Sequence, residues 1–206
     1  MKVLLLNGSP HAKGCTHTAL CEVASALEKE GVGTEIMHIG TKPVSGCQGC
    51  DSCEATGRCV IDDKVNEFLD RAEKFDGFVI GSPVHFASAC GAVCSFLDRA
   101  FYARMDRFEG KPAAAVVSCR RGGASAAFDR LNKYFTIANM PVVSSQYWNS
   151  VHGNTPEEVK RDLEGMQVMR TLGKNMAWLL KSIRAGRDAQ LPCPESEERV
   201  ATNFIR

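Results

Sequence analysis

The sequence has no surplus charge of either sign. Lys and Arg number 25 against 24 Asp and Glu, a net charge of +1, so no bulk field draws the chain to nucleic acid or to an anionic membrane. No apolar stretch approaches the roughly eighteen residues of a membrane span. No secretory leader is expected, because "MKVLLLNGSP" reaches a turn after one short apolar run. The expected location is therefore cytoplasmic, with no nucleic-acid and no membrane partner. There is no internal repeat and no low-complexity linker, so the 206 residues read as a single domain with room for a sizeable core. Two phosphate signatures are absent as well. Without Gly-Lys-Ser/Thr there is no ATP-hydrolysing loop, and without G-x-G-x-x-G there is no dinucleotide turn.

What is present is an alternation of buried-strand runs and helical periods. A composition of 44% hydrophobic and 24% charged residues is ordinary for a soluble globular domain. "KVLLLN" (2–7) is a continuous apolar run ending at a glycine, as a strand buried on both faces requires. Helical spacing follows over 16–30, then a strand over 31–40. A helix over 62–74 carries acids in its first turn, where the helix dipole favours them. Strands are expected at 76–83, 111–119 and 140–148, with helices at 89–104 and 123–139. The last helix, about 156–185, is announced by Thr155 as cap, Pro156 at the first helical position and Glu158. Its Met and Leu stripe (Val159, Leu163, Met166, Met169, Leu172, Met176, Leu179, Ile183) reads as core. The stripe is longer than one small sheet needs, so this helix is expected to form a subunit interface with Tyr147 and Trp148. The tail after Ala185 should lie along the surface or reach a partner subunit. Five strands alternating with five helices give an α/β fold, a parallel sheet with helices on both faces. Such sheets bind ligands beyond the carboxyl ends of their strands.

Three loops fall at those ends. "NGSPHAKGCTHT" (7–18) offers a tight turn at Gly8 and Gly14, donors on Ser9, Thr16, His17 and Thr18, and the free N–H groups of a helix start. Together these suit one phosphate, as in a mononucleotide cofactor such as FMN; an ordinary loop with a capping threonine competes with that reading. "GSPVHFASACG" (81–91) carries His85 and Phe86 at its tip, able to stack on a flat ring or equally to be turn residues. "SCRRGGAS" (118–125) lets the backbone approach a ligand at Gly122 and Gly123. It also places Arg120 and Arg121 where a reduced flavin gathers negative charge, unless they are simply solvated arginines.

The ten cysteines are many for a reducing compartment, where clustered cysteines more often mean metal or redox chemistry than disulfides. Six of them (Cys15, Cys21, Cys90, Cys94, Cys119 and Cys193) are scattered, and packing accounts for them. The other four, Cys47, Cys50, Cys53 and Cys59, share the stretch "SGCQGCDSCEATGRC" in the spacing C-x2-C-x2-C-x5-C. That run is close to the ferredoxin pattern that wraps a cubane cluster, and Gly46, Gly49 and Gly57 give it freedom to fold round one. Structural zinc, which uses two well-separated pairs, fits less well. Four thiols without a cluster is the remaining alternative. The loop follows the second strand, which puts it at the carboxyl edge, near the expected flavin or a flavin of a partner chain.

The segments "NGSPHAKGCTHTAL", "SGCQGCDSCEATGRCVIDD", "GSPVHFASACGAVCSFLDRAF" and "SCRRGG" closely resemble the NAD(P)H-dependent FMN reductases of the flavodoxin-like superfamily, in particular the branch containing the iron–sulfur flavoproteins. The resemblance covers about residues 1–150. It implies a flavodoxin-like doubly wound five-stranded parallel sheet of order 2-1-3-4-5 and a homodimer or homotetramer. It implies FMN, with its phosphate at Ser9, His11, Gly14, Cys15, Thr16, His17 and Thr18. Pro83, Val84, His85 and Phe86 would then flank the isoalloxazine, as would Ser118, Arg120, Arg121, Gly122 and Gly123. His11 stands where the family often has Arg, and His85 where it often has Tyr. The implied activity is electron transfer from NAD(P)H as co-substrate through FMN to a quinone, flavin, nitro compound or protein acceptor, with no catalytic side chain required. Two alternatives stand beside it. One is an electron carrier holding FMN and a [4Fe–4S] cluster on Cys47, Cys50, Cys53 and Cys59, fed by a ferredoxin-like protein. The other is a non-enzymatic module binding some other phosphate ligand.

Overall fold

The computed structural model describes residues 1–195 together with 197, 198, 200, 202 and 204. The elements run β1 (Lys2–Asn7), α1 (Cys15–Lys29), β2 (Gly33–His38), α2 (Ser52–Thr56), α3 (Lys64–Ala72), β3 (Gly77–His85), β4 (Ser88–Ala89) and α4 (Gly91–Arg104). They continue with β5 (Ala113–Cys119), α5 (Ala124–Ile137), β6 (Ser150–His152), α6 (Pro156–Arg161) and α7 (Leu163–Asp188). The sheet order is β2-β1-β3-β5-β6, with the two-residue β4 turned back antiparallel on the end of β3. The other strand pairs are parallel. Setting that hairpin aside, the order is the expected 2-1-3-4-5.

Val3 to Leu6 and Ala113 to Val117 are fully buried, which is why these strands read as unbroken apolar runs. One core layer joins the sheet to α3, α4 and α5 through Phe68, Phe78, Phe96 and Phe135. The other joins it to α1, α6 and α7 through Leu20, Val23, Met169, Leu172 and Met176. The order of strand addition reverses between β1 and β3, where Gly8 N–H donates to the Gly81 carbonyl at 2.8 Å. A Cβ on Gly8 would lie 2.6 Å from Val93 Cγ2 and 2.7 Å from that carbonyl, so the crossing needs glycine.

Three expectations change. The strand expected over 140–148 starts to pair with β5, since Ala113 N–H donates to the Pro141 carbonyl and Val143 N–H to the Ala113 carbonyl. The chain then bulges away. Asn175 on α7 donates to the Ser144 carbonyl, and Ser145 Oγ turns onto the Tyr147 carbonyl. Pairing resumes where Val117 N–H donates to the Asn149 carbonyl, so the regular strand is β6.

The last helix is two helices. Asp162 accepts from Gly165 N–H at 2.9 Å and from His152 N–H at 2.6 Å, capping α7 and pinning the break to β6. The apolar stripe is also not in surplus. Met166, Met169, Leu172, Met176 and Leu180 are buried within the chain, Gly173 closes on Ala26 of α1, and Leu163 points outward at 77% exposure. Most of the stripe is thus accounted for within the chain, with Leu179 and Ile183 half-buried, and Tyr147, Trp148 and Trp178 are exposed. Among the described residues no helix is long and apolar enough to cross a membrane.

Candidate functional site

The loops after β1, β3, β5 and β6 converge at the carboxyl edge. Thr16, in the first turn of α1, meets Ser118 at the end of β5, hydroxyl to hydroxyl at 2.8 Å, both residues buried. The Cys15 thiol reaches the Gly153 carbonyl at 3.7 Å beyond β6, and His38 Nε2 at the end of β2 donates to the Ser9 carbonyl at 2.7 Å. A Cβ on Gly123 would stand 2.8 Å from Val84, and its φ of +84° is one glycine accepts freely. The loops at 81–91 and 118–125 thus touch.

The first loop is built on its own polar groups. Ser9 N–H donates to Asn7 Oδ1, His11 N–H donates to Ser9 Oγ, and Asn7 Nδ2 donates to the Ala12 carbonyl. Thr18 Oγ1 turns back to the Gly14 carbonyl, and His17 lies against Cys21. Thr18 Oγ1 and the Thr16–Ser118 pair are engaged in shaping the loop, while Ser9 Oγ accepts without donating among the described residues. The backbone is open as well. The cap of α1 is Gly14, no side chain caps the first turn, and no acid lies in it. Gly14 N–H donates to the His11 carbonyl at 3.3 Å, which leaves the three N–H groups of Cys15, Thr16 and His17 open at the positive end of a 15-residue helix. Burial, then the charges on Lys13 and His38, hold the His17 imidazole below its ordinary pKa, while burial and, after it, the charges on Glu158 and Glu157 push the Cys15 thiol up. A cleft bounded by Pro10 to Cys15 and by Asn154 to Pro156 opens over these groups. The arrangement fits a phosphate.

Around the rest of the edge, His85 and Phe86 are exposed, Phe86 fully so and at a left-handed φ of +57°. Pro83 and Val84 are half-buried behind them, and Gly122 is exposed. Arg120 and Arg121 are exposed, and among the described residues neither has an ion-pair partner.

The four-cysteine loop lies elsewhere than expected. It leaves the carboxyl edge and runs down the flank of α4, from Gly46 beside Ser95 to Gly57 against Arg104. Eight residues of α4 separate Gly91 at the edge from Arg99, about 12 Å of helix. The turn is made by positive φ at Gly49, Asp51 and Gly57, with the short α2 between the last two. Cys47, Cys50, Cys53 and Cys59 line one cavity with Val60, Ile61, Arg99 and Tyr102. Among the described residues no three His, Cys, Asp or Glu side chains converge closely enough for a single metal ion. A cubane, bound at its corners, asks for a wider set of thiolates than a lone zinc at about 2.3 Å from each sulfur. The soft all-thiolate donor set in one cavity fits a cluster.

The cysteines are not equivalent. Cys47 and Cys50 are exposed, while Cys53 and Cys59 are half-buried. Burial pushes the Cys53 thiol up, as do Cys50, Cys47 and Cys59 nearby. Hydrogen bonding from Ser52 draws Cys50 down. Behind Cys59 stands Arg99, a residue that no sequence pattern singled out, because an arginine at helical spacing reads as a solvated face. It is among the largest fully buried side chains. Burial works against its charge, but hydrogen bonds to Asp63 and Cys59 outweigh this and hold its pKa above the ordinary value.

The sheet order, with the glycine-capped start of α1 at the switch point, defines a flavodoxin-like fold. A flavodoxin from the domain Archaea superposes with a TM-score of 0.60 at 15% identity, over 88% of this chain and 99% of its own. An NAD(P)H:quinone oxidoreductase from Methanothermobacter marburgensis superposes with a TM-score of 0.65 at 16% identity, over 85% and 96%. A family model described as NADPH-dependent FMN reductase matches residues 1–155, and the chain belongs to that family. An iron-sulfur flavoprotein of Methanocaldococcus jannaschii is 32% identical over 192 residues, 89% of this chain and all of the relative. An iron-sulfur flavoprotein of Methanosarcina thermophila is 27% identical over 194 residues, 91% of this chain and all of the relative.

Proposed function

We propose that this chain is an electron-transfer flavoprotein with two centres, FMN at the carboxyl edge and a [4Fe–4S] cluster on Cys47, Cys50, Cys53 and Cys59. The observation that carries the reading is that the four thiols of the spaced run line one cavity of the same domain that bears the phosphate-fitting helix start. Relatives matched along their whole length and called iron-sulfur flavoproteins support it. When bound, FMN supplies two-electron acceptance with release of one electron at a time, and the cluster passes single electrons.

The chain's own residues bind and orient. The N–H groups opening α1 take the FMN phosphate, and Ser9, Thr16 and Ser118 hold that loop against β5. Pro83 to Phe86 and Gly122 and Gly123 flank the ring, and Arg120 and Arg121 offer positive charge beside it. No side chain is asked to move a proton. The partner is a ferredoxin-like protein or a small acceptor, and the assembly is a homodimer or homotetramer using the exposed Tyr147, Trp148 and Trp178.

A second reading keeps the flavin site and makes NAD(P)H the electron source; the match to NADPH-dependent FMN reductases over 155 residues favours it. Anaerobic stopped-flow reduction separates the two. Rapid bleaching of the flavin by reduced ferredoxin, with NADPH and NADH slow, supports the carrier; the reverse order replaces it with the reductase. Chromatography of the released flavin as FAD would overturn both.

A further inference from the structure

We propose that Arg99 is a positioning residue for the four-cysteine loop: it fixes the sulfur of Cys59 before any metal is present and keeps an N–H on that sulfur once a cluster is bound. The second half rests on the reading of the loop as a cluster site; the first concerns the thiol alone.

Arg99 lies on α4, with its side chain fully buried beside Asp63. A guanidinium has five N–H groups in a rigid fork, and here each has a partner. Nη1 donates to Asp63 Oδ2 at 2.7 Å and to the Ser45 carbonyl at 3.5 Å. Nη2 donates to Asp63 Oδ1 at 2.9 Å and to the Ile61 carbonyl at 2.8 Å. Nε, on the remaining edge, donates to Cys59 Sγ at 3.2 Å. Ser45 precedes the first loop cysteine and Ile61 follows the last, so one side chain grips both ends of the run. Asp63 is the cap of α3 and also accepts from Val65 N–H. A buried cation tied this way tolerates little displacement, because each lost partner leaves charge uncompensated.

Cys59 is held by its backbone as well. Its N–H donates to Asn66 Oδ1 at 3.0 Å, and its carbonyl accepts from Asn66 Nδ2 at 2.9 Å. Asn66 is itself buried. Cys59 is therefore fixed at main chain and sulfur, whereas Cys47 and Cys50 are exposed beside Gly46 and Gly49. The site is preformed at one corner and free to close at the other. A hydrogen bond to a cluster sulfur withdraws charge from it and raises the reduction potential, so Arg99 would set the potential of the centre as well as its place.

The test compares wild type, R99K and R99M. In reduced, metal-free protein, timed alkylation with iodoacetamide is read cysteine by cysteine by mass spectrometry. Rates are measured over a pH series and expressed per thiolate, because a cation beside a sulfur favours the reactive thiolate while its hydrogen bond holds and shields it. Per thiolate, Cys59 should be the slowest of the four loop thiols in wild type, and in R99M it should react about tenfold faster, the size expected for losing one hydrogen bond to a charged donor. R99K keeps the charge without the fork and should fall between. Cys90 and Cys94, buried in the core, report whether the fold survives; if R99M exposes them, R99K decides alone. With cluster reconstituted, a dye-mediated titration followed by electron paramagnetic resonance should place R99M at a more negative midpoint than wild type and R99K between them. A merely structural arginine would leave the potential of the folded variants unmoved. Unchanged Cys59 alkylation in the folded variant overturns the first half, and unchanged potential the second. Wild type that takes up no iron sinks the cluster reading and the potential claim with it, while alkylation still decides the role at Cys59.

Discussion

The first loop and the four-cysteine loop follow neighbouring strands, β1 and β2, and are built in opposite ways. The first is short, threads between strand ends and ties most of its polar groups to one another, leaving chiefly backbone N–H as the free chemistry. The second is long, leaves the sheet and presents side-chain thiols, half of them exposed, gripped from beneath by one buried arginine. A phosphate is bound by groups every residue carries, so its site depends on fold; a cluster is bound by particular side chains, so its site depends on spacing and on a clamp. Substitutions in the two regions should therefore separate.

The largest separation is expected from Cys53→Ser. It should abolish iron binding, from about four irons per chain, while bound FMN stays stoichiometric. Iron and sulfide assays beside flavin absorbance check this, and joint loss of flavin would mean that the two regions are not independent. Next comes Gly8→Ala. Its Cβ has no space against Val93 and the Gly81 carbonyl, so about 1–3 kcal/mol of stability should be lost and FMN retention should fall, with the iron content of the folded fraction unchanged. Urea unfolding and flavin titration measure both.

Thr16→Val is smaller. It removes the Thr16–Ser118 bond and leaves a buried hydroxyl short of a partner, a cost of about 1–2 kcal/mol. FMN affinity should fall as the loop loosens, roughly up to tenfold. An unchanged dissociation constant would show that the strut does not support the phosphate site. Phe86→Ala should be smallest in stability, within about 0.5 kcal/mol, because the ring is fully exposed. Its effect should instead be read in the flavin's visible spectrum.

Much of this was legible in the sequence, for identifiable reasons. Strands buried on both faces announce themselves as runs such as "VLLL", and that was enough for the strands now numbered β1, β3 and β5. The last edge strand was not, because side-chain bonds from Asn175 and Ser145 pull out the middle of an apolar run and leave pairing to Ser150–His152. The break at Asp162 was hidden for a similar reason, since the partner that fixes it, His152 N–H, is ten residues away. The first loop was readable as a strand-to-helix turn, but the local bonds of Ser9 and Thr18 were not, because hydroxyls in a turn find partners within the turn that spacing does not reveal. The cysteine spacing was plain, but Arg99 was not. Its importance lies in Asp63, 36 residues earlier in the chain, and in burial that no local pattern encodes.

The two-centre account is tested most directly by one stoichiometry, iron and acid-labile sulfide per FMN in wild-type chain made and purified without oxygen. It predicts one FMN with about four irons and four sulfides. Full flavin with no iron would contradict it and leave a flavin protein whose four thiols serve some other end.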